Sequence, residues 1–241
     1  MDAYLLRSHR SEKLVNEIVN RLRAAGVEVP AEILDAQAFA KLKPLNLPGP
    51  KQAEQQLAAA TDQESFDAAC WELAVAQAAQ EMVKDGRVQA AVNSVRESRV
   101  TSAVRNHVVD LLDTLGERYD AQAKKFKDAL DRLPENLASL SALDIDEATA
   151  KALRATRDAH GPLAAIYAAA QALWTFAGWR PVRQSNPSAV YQDVDAVAEF
   201  NTEDEREHAA ELLRAGGALA PFGPFAAAVK AGGRLRLHMP A

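Results

Sequence analysis

Cysteine, aromatic residues, isoleucine and threonine are scarce in this chain of 241 residues, and each scarcity bears on the class of fold. The single cysteine, Cys70, cannot form a disulfide within the chain, which excludes a fold held together by disulfides. Aromatic residues make up 6% of the chain, so the core is expected to consist mainly of alanine, leucine and valine. Against 50 alanines there are only 4 isoleucines and 7 threonines, a composition that favours helices over strands.

A strong excess of charge of either sign is also missing. The chain has 28 lysines and arginines against 33 aspartates and glutamates, a formal net charge of −5. Proteins that hold nucleic acid over their whole surface normally carry a basic excess, so this class is not expected. The first ten residues offer only Leu5-Leu6 as apolar material, which does not match a signal peptide. We therefore expect a cytoplasmic protein, or one built into a particle that assembles there.

Sequence motifs that identify common catalytic and nucleotide-binding sites are absent. The chain has no Gly-x-Ser-x-Gly nucleophile turn, no Gly-x-Gly-x-x-Gly fingerprint and no phosphate loop ending in Gly-Lys-Ser/Thr. From the sequence we therefore assign no catalytic residue, no cofactor-binding residue and no metal ligand. The expectation is a protein that is not an enzyme and that has no cofactor.

Proline is distributed unevenly, and its absence from the middle of the chain predicts the organisation. No proline occurs from Lys51 to Leu133, a run of 83 residues, whereas prolines cluster on either side. This pattern predicts a small N-terminal helical head, a long helical middle and a compact C-terminal helical part, at residues 1–50, 51–133 and 134–241. The predicted fold is all-α, with an elongated helical bundle or coiled-coil middle over about residues 62–133 and one short strand at the C-terminal end.

The head is predicted to contain two helices and a linker. Apolar residues at helical spacing indicate a helix near Ser11 to Ala25, which Gly26 ends. A second helix is expected from Pro30 to Leu42, since proline suits a first helical turn. The proline-rich residues 43–50 indicate an extended linker.

The middle is predicted to be helical throughout. Thr61 and Glu64 have the spacing of a capping box, after a short preceding helix. The helix that follows is expected to continue to a turn at Asp85-Gly86 and to carry the apolar residues Phe66, Trp71, Leu73, Val75 and Met82. Cys70 lies on the same helix among apolar neighbours and is expected to be a buried structural thiol.

A longer helix is predicted from Val88 to Leu133, with apolar residues at steps of three and four. A helix of that length needs a partner helix to cover its apolar side. The partner is either the preceding helix folded back at Gly86 or another subunit, and the sequence leaves open whether residues 62–133 form one rod or a hairpin.

The C-terminal part is predicted to be a series of short helices. A helix capped by Asp144 or Asp146 is expected to end at His160-Gly161-Pro162, where a second, uncharged helix begins and continues to Gly178. That uncharged helix is expected to be buried and not to cross a membrane. The remaining elements follow in order: a loop over residues 179–192, a helix capped by Thr202 and Glu205 that ends at Gly216-Gly217, a turn at residues 221–224, a helix at residues 225–231 and a strand at residues 234–239.

Two candidate sites have simpler structural interpretations. Glu205 and His208 form Glu-x-x-His on a helix, with Glu211 one turn later, as in carboxylate-bridged metal sites. An acidic first turn that stabilises the helix dipole explains the same residues, and we favour this interpretation. The segment from Arg96 to Arg105, with Arg99 between them, is either a local phosphate-binding patch or a solvated or inter-subunit helix face, which we favour.

Three hypotheses for function follow from these features. The first is a non-catalytic structural protein that packs through long helices into a homo-oligomer or a larger particle, for instance as an accessory component of a phage or other virion. Its partner would be a second copy or another protein of the assembly, and the strand near Arg234 could dock on a partner's sheet edge. The second is a helical regulator that binds nucleic acid through Arg96–Arg105. The third is a helical enzyme with a metal at Glu205 and His208.

Overall fold

The computed structural model describes residues 2–42, 50–134, 146–178 and 189–237, and in these ranges the chain is almost entirely helical. The helices are α1 (Asp2–Ala24), α2 (Ala31–Ala40), α3 (Pro50–Ala58), α4 (Gln63–Lys84), α5 (Arg87–Leu130), α6 (Glu147–Ala177), α7 (Ala189–Val197), α8 (Glu203–Ala215) and α9 (Gly223–Lys230). A 3-10 helix, Gly217–Phe222, and two strands of two residues complete the described elements. The predicted all-α class is confirmed.

The chain folds into two units. The first unit comprises Met1–Val15 and Ala31–Val104, and the second comprises Asn16–Pro30 and Arg105–Ala241. Helices α1 and α5 each supply residues to both units. The division of the sequence into three parts stays a prediction, and the linker at residues 43–49 lies outside the described residues.

The predicted middle is not one continuous helix. Helix α4 ends at Lys84 and α5 begins at Arg87, because Gly86 adopts a left-handed conformation with φ +70°. The capping box lies one residue later than predicted: the side chain of Asp62, not Thr61, accepts a hydrogen bond from the Ser65 amide at 2.8 Å. The Ser65 hydroxyl lies 3.2 Å from the Asp62 amide and accepts its hydrogen bond. The hydrogen bond from the Ser65 amide lowers the pKa of the Asp62 carboxyl.

The predicted break at His160-Gly161-Pro162 is wrong, because α6 continues through Pro162 as one helix of 31 residues. Proline removes one backbone donor from the helix, so a carbonyl in the preceding turn loses its partner. The side chain of Gln122 on α5 donates a hydrogen bond of 2.9 Å to the Ala159 carbonyl in that turn. The carbonyl that Pro162 leaves without its helical donor is that of Asp158, so the bond from Gln122 to Ala159 is an additional tie between α5 and α6. The predicted caps, Asp146 at the start and Gly178 at the end with φ +73°, are confirmed.

The core of the second unit is built on α5 and α6. Large side chains of both helices are fully buried there: Leu115, Tyr119, Phe126 and Leu130 on α5, and Leu163, Leu173 and Trp174 on α6. The Tyr119 hydroxyl donates a hydrogen bond of 3.0 Å to the carbonyl of Val197, at the end of α7. Burial raises the pKa of Tyr119, so this hydroxyl stays a donor. The uncharged part of α6 is buried, as predicted.

The C-terminal elements differ from the prediction in three places. Residues 189–192, predicted as loop, belong to α7, while 179–188 lie outside the described residues. The predicted turn at residues 221–224 is the junction of the 3-10 helix with α9, which begins two residues earlier than predicted, at Gly223. The predicted strand covers only Arg234–Leu235, which pairs antiparallel with the chain's own Ala198–Glu199. The capping box of Thr202 and Glu205 is confirmed.

His160 lies at the centre of an aromatic cluster in the second unit. Its ring centroid is 5.8 Å from that of Phe126, 5.6 Å from Phe222 and 5.5 Å from Phe225. Desolvation in this half-buried position lowers the pKa of His160 from 6.5. The neutral imidazole is therefore the form that the folded protein favours.

We expect this cluster to make the protein less stable in acid. As pH falls below about 6.5, the imidazole in the unfolded chain binds a proton before the folded one does, so the free energy of unfolding decreases. Thermal melts of the wild type and of His160→Phe between pH 7.5 and the lower pKa of His160 test this. The variant should lose less stability than the wild type over that interval. A His208→Gln control removes an exposed imidazole, and an equal effect of both substitutions would contradict the assignment.

Candidate assembly surface

Helix α4 carries an apolar stripe on its exposed side. Its members recur at steps of three and four, the a and d positions of a heptad: Ala68, Trp71, Val75, Ala78 and Met82. At 100° per residue these five lie within about 80° of one another and extend over about 21 Å of helix. We call this stripe the α4 seam.

The large members of the α4 seam are open to solvent. The exposed fraction is 73% for Trp71 and 48% for both Val75 and Met82, and the two alanines are also exposed. A helix of a soluble domain normally turns such a stripe toward the core. The α4 seam therefore has the pattern of a packing face without a neighbour on it among the described residues.

The side of α4 that packs within the chain is made of alanine. Ala69 and Ala76 are its buried residues, and α3, which contacts α4, buries Ala53. The large apolar residues Phe66, Trp71, Val75 and Met82 are exposed, and Leu73 is only partly buried. The prediction of a buried thiol is wrong, because Cys70 is exposed. The first unit offers α4 a close alanine contact, which leaves no room for larger side chains.

A groove between α3 and α4 adjoins the seam. It has a volume of about 390 Å³, and Trp71 and Val75 form part of its wall. Across from them lie Gln52 and Gln56 of α3. Glu72 also lines the groove, directly beside Trp71. The groove thus combines an aromatic ring, amide groups and one carboxylate.

Acidic residues surround the α4 seam. They are Glu64, Asp67, Glu72, Glu81 and Asp85, all exposed and all within about 100° of the centre of the seam. We call these five residues the acidic rim. Lys84, the one basic residue of α4, lies about 160° from the centre, on the opposite side. Within the rim, Asp85 has a cation nearby, the Arg87 side chain at 3.7 Å, and that pair is well exposed.

The arginines between Arg96 and Arg105 do not share one role. Arg96 donates a hydrogen bond to the Leu42 carbonyl. The Arg99 guanidinium lies over the Phe39 ring, 4.5 Å from its centroid. Both contacts hold α5 against the segment of α2 within the first unit, and Arg105 is exposed in the second unit. The nucleic-acid hypothesis for these residues stays a prediction.

The Glu205 carboxylate serves as a helix cap. It accepts hydrogen bonds from the amides of Asn201 at 2.8 Å and Thr202 at 3.4 Å, while the Thr202 hydroxyl accepts from the Glu205 amide at 3.2 Å. His208 is exposed, with Nδ1 4.0 Å from Glu211. Within the described ranges, no three His, Cys, Asp or Glu side chains are grouped so that they could hold a metal ion.

We expect Thr202→Ala to destabilise the protein, because it removes the hydroxyl that caps α8. The loss should be about 1 kcal/mol, which lowers the midpoint of thermal unfolding by roughly 2–4 °C in a chain of this size. Thr114→Ala is the matched control. The Thr114 hydroxyl bonds only to the Asp110 carbonyl of its own helix, and alanine is the better helix former. An equal loss in both variants would argue against the cap.

Part of the α4 seam was visible in the sequence, although its exposure was not. Trp71, Val75 and Met82 were recognised as the apolar residues of a helix, but Ala68 and Ala78 were not assigned to their stripe. The 3-4 spacing of these five residues was the available signal. The same spacing describes a helix buried in its own domain, and therefore periodicity alone could not identify an open surface.

Comparisons with known proteins add no further guide to this surface. No protein-family model, no curated protein and no solved structure was found to match the chain. Its function is therefore inferred from the exposed apolar and charged groups themselves.

Among the described residues, no single helix combines the length and the apolar character that crossing a bilayer requires. Two helical segments, Glu203–Ala215 and Leu219–Lys230, reach that threshold only when they are counted together, across a bend of 115°.

Proposed function

We propose that this chain is a non-catalytic structural protein that joins a protein assembly, and that α4 packs there against a helix of a neighbouring subunit. The observation that carries the proposal is the α4 seam. Trp71, Val75 and Met82 form one exposed apolar stripe at coiled-coil spacing. Contiguous exposed apolar surface with a polar surround is typical of protein–protein interfaces.

Energetics favour an occupant for the seam. Burial of a large apolar side chain contributes roughly 1.5–3 kcal/mol, and tryptophan is among the residues that dominate binding at interfaces. Trp71 exposes most of its surface and stands next to a groove, so a neighbouring helix could bury it on both sides. This arrangement corresponds to helix-in-groove recognition.

The proposed assembly is a homo-oligomer or a larger particle, such as a virion to which this chain contributes an accessory component. Its location is then the cytoplasm, or a particle assembled there. The exposed thiol of Cys70 is compatible with a reducing compartment, in which it stays a free thiol.

The two alternatives have less support. A nucleic-acid surface at Arg96–Arg105 would have to release Arg96 and Arg99 from their contacts with Leu42 and Phe39. A metal at Glu205 would compete with the amides that its carboxylate caps. Neither arrangement favours a second proposal.

The proposal is tested with the whole chain and a synthetic amphipathic helix. The probe is a fluorescent peptide of about 21 residues, or about six turns, with a leucine ridge flanked by glutamine. We expect it to bind the native protein, as measured by fluorescence anisotropy. Trp71→Glu should weaken binding at least about 30-fold, since the loss of an interface tryptophan costs about 2 kcal/mol or more.

Gln77→Glu is the matched control, because it adds the same charge at an exposed position of α4 that lies well away from the seam. Light scattering on the protein alone, at roughly 5 to 100 µM, accompanies the titration. A defined oligomer that Trp71→Glu dissociates and Gln77→Glu does not would also support the proposal. A monomer at every concentration that does not bind the peptide would refute it.

A further inference from the structure

We infer that the helix that occupies the α4 seam is basic and belongs to a different protein. It has an apolar ridge flanked by lysine or arginine, and it is not α4 of a second copy. The inference rests on the proposed function and deepens it, because it names the chemistry of the partner. Its basis is the sign and the placement of the charges around the seam.

The first step is the one-sided distribution of charge on α4. Every residue of the acidic rim lies within about 100° of the centre of the seam, whereas Lys84 lies about 160° from it, on the opposite side. In packed helix pairs, the positions beside the apolar ridge face the corresponding positions of the partner helix. A partner on the seam therefore places its own flanking side chains against carboxylates.

The second step excludes α4 of a second copy. In a parallel pair, Glu64 at a core position faces its duplicate, and Asp67 on one flank faces Glu72 on the opposite flank of the other copy. In an antiparallel pair centred on Val75, Asp67 comes near Glu81 and Glu64 comes near Asp85. Either orientation sets acid against acid, and like charges in register disfavour a wrong partner. Basic flanks remove this repulsion in both orientations.

The third step is the groove beside Trp71. Glu72 and Trp71 both line it, so a cation that enters the groove meets a carboxylate and an indole there. Arginine suits such a position because its guanidinium stacks on aromatic rings and bonds carboxylates. The amides of Gln52 and Gln56 offer further acceptors across the groove. An arginine on the partner's flank fits these groups.

The test compares three peptides with the same leucine ridge and with lysine, glutamine or glutamate at the flanking positions. At about 50 mM salt we expect the lysine peptide to bind roughly tenfold or more tightly than the glutamate peptide, with glutamine between them. The difference should shrink as salt rises to about 500 mM, because exposed charges are then screened. Equal binding of the lysine and glutamate peptides at low salt would overturn the inference.

A charge-reversal variant tests whether the rim is responsible. Glu72→Lys combined with Glu81→Lys should remove most of the preference for the lysine peptide, because two lysines then offset two of the three remaining carboxylates of the rim. The control is Glu97→Lys, an exposed position on α5, combined with Glu54→Lys on α3, which should leave the preference unchanged. An unchanged preference in the rim variant would show that it arises elsewhere.

The same measurements separate this inference from the proposed function. Binding of the glutamine peptide that Trp71→Glu abolishes, without any preference for lysine flanks, would overturn the basic partner and retain the seam. A homo-oligomer that depends on Trp71 would do the same, with a second copy as the occupant. Failure of all three peptides to bind a monomeric chain would overturn both.

Discussion

Close packing through alanine is the constraint on which this structure depends. Where α4 meets its own chain, the buried side chains are Ala69 and Ala76, and α3 contributes Ala53. A contact between such small side chains brings two helices close together and leaves no space for a tryptophan or a methionine. The large apolar residues of α4 therefore remain on the outer side, and the exposed seam is a consequence of the alanine contact on the inner side.

The second unit packs its helices through large side chains as well as alanines. Its helices α5 and α6 alternate alanines with large buried side chains, among them Tyr119, Phe126 and Trp174. Polar side chains add hydrogen bonds to backbone carbonyls: Gln122 of α5 bonds the Ala159 carbonyl of α6, and the Tyr119 hydroxyl bonds the Val197 carbonyl. Such buried hydrogen bonds fix one arrangement of helices, because an unpaired carbonyl in the interior is costly. This unit therefore has a well-defined core of its own.

The charges beside the α4 seam make it selective among partners, which its apolar residues alone would not do. Apolar stripes attract any complementary ridge, whereas carboxylates beside the stripe discriminate between partners. The rim of α4 is acidic on both flanks; among the arginines of the first unit, Arg87 lies 3.7 Å from Asp85, while Arg96 contacts Leu42 and Arg99 contacts Phe39. The basic groups that would neutralise the rim must then come from outside α4. This is the physical link between the electrostatics of the seam and the chemistry of the proposed partner.

The sequence by itself determined the helical class and many helix ends, because these depend on neighbours within one or two turns. Gly26, Gly86 and Gly178 end helices with positive φ, and Thr202 with Glu205 caps α8. Tertiary structure decided what local pattern cannot encode. Pro162 stays inside α6, which Gln122 of α5 bonds at the Ala159 carbonyl, and the large residues of the α4 seam stay exposed while α4 buries only Ala69 and Ala76. Helical spacing tells which residues share a face, whereas only the packing of distant segments decides whether that face is covered.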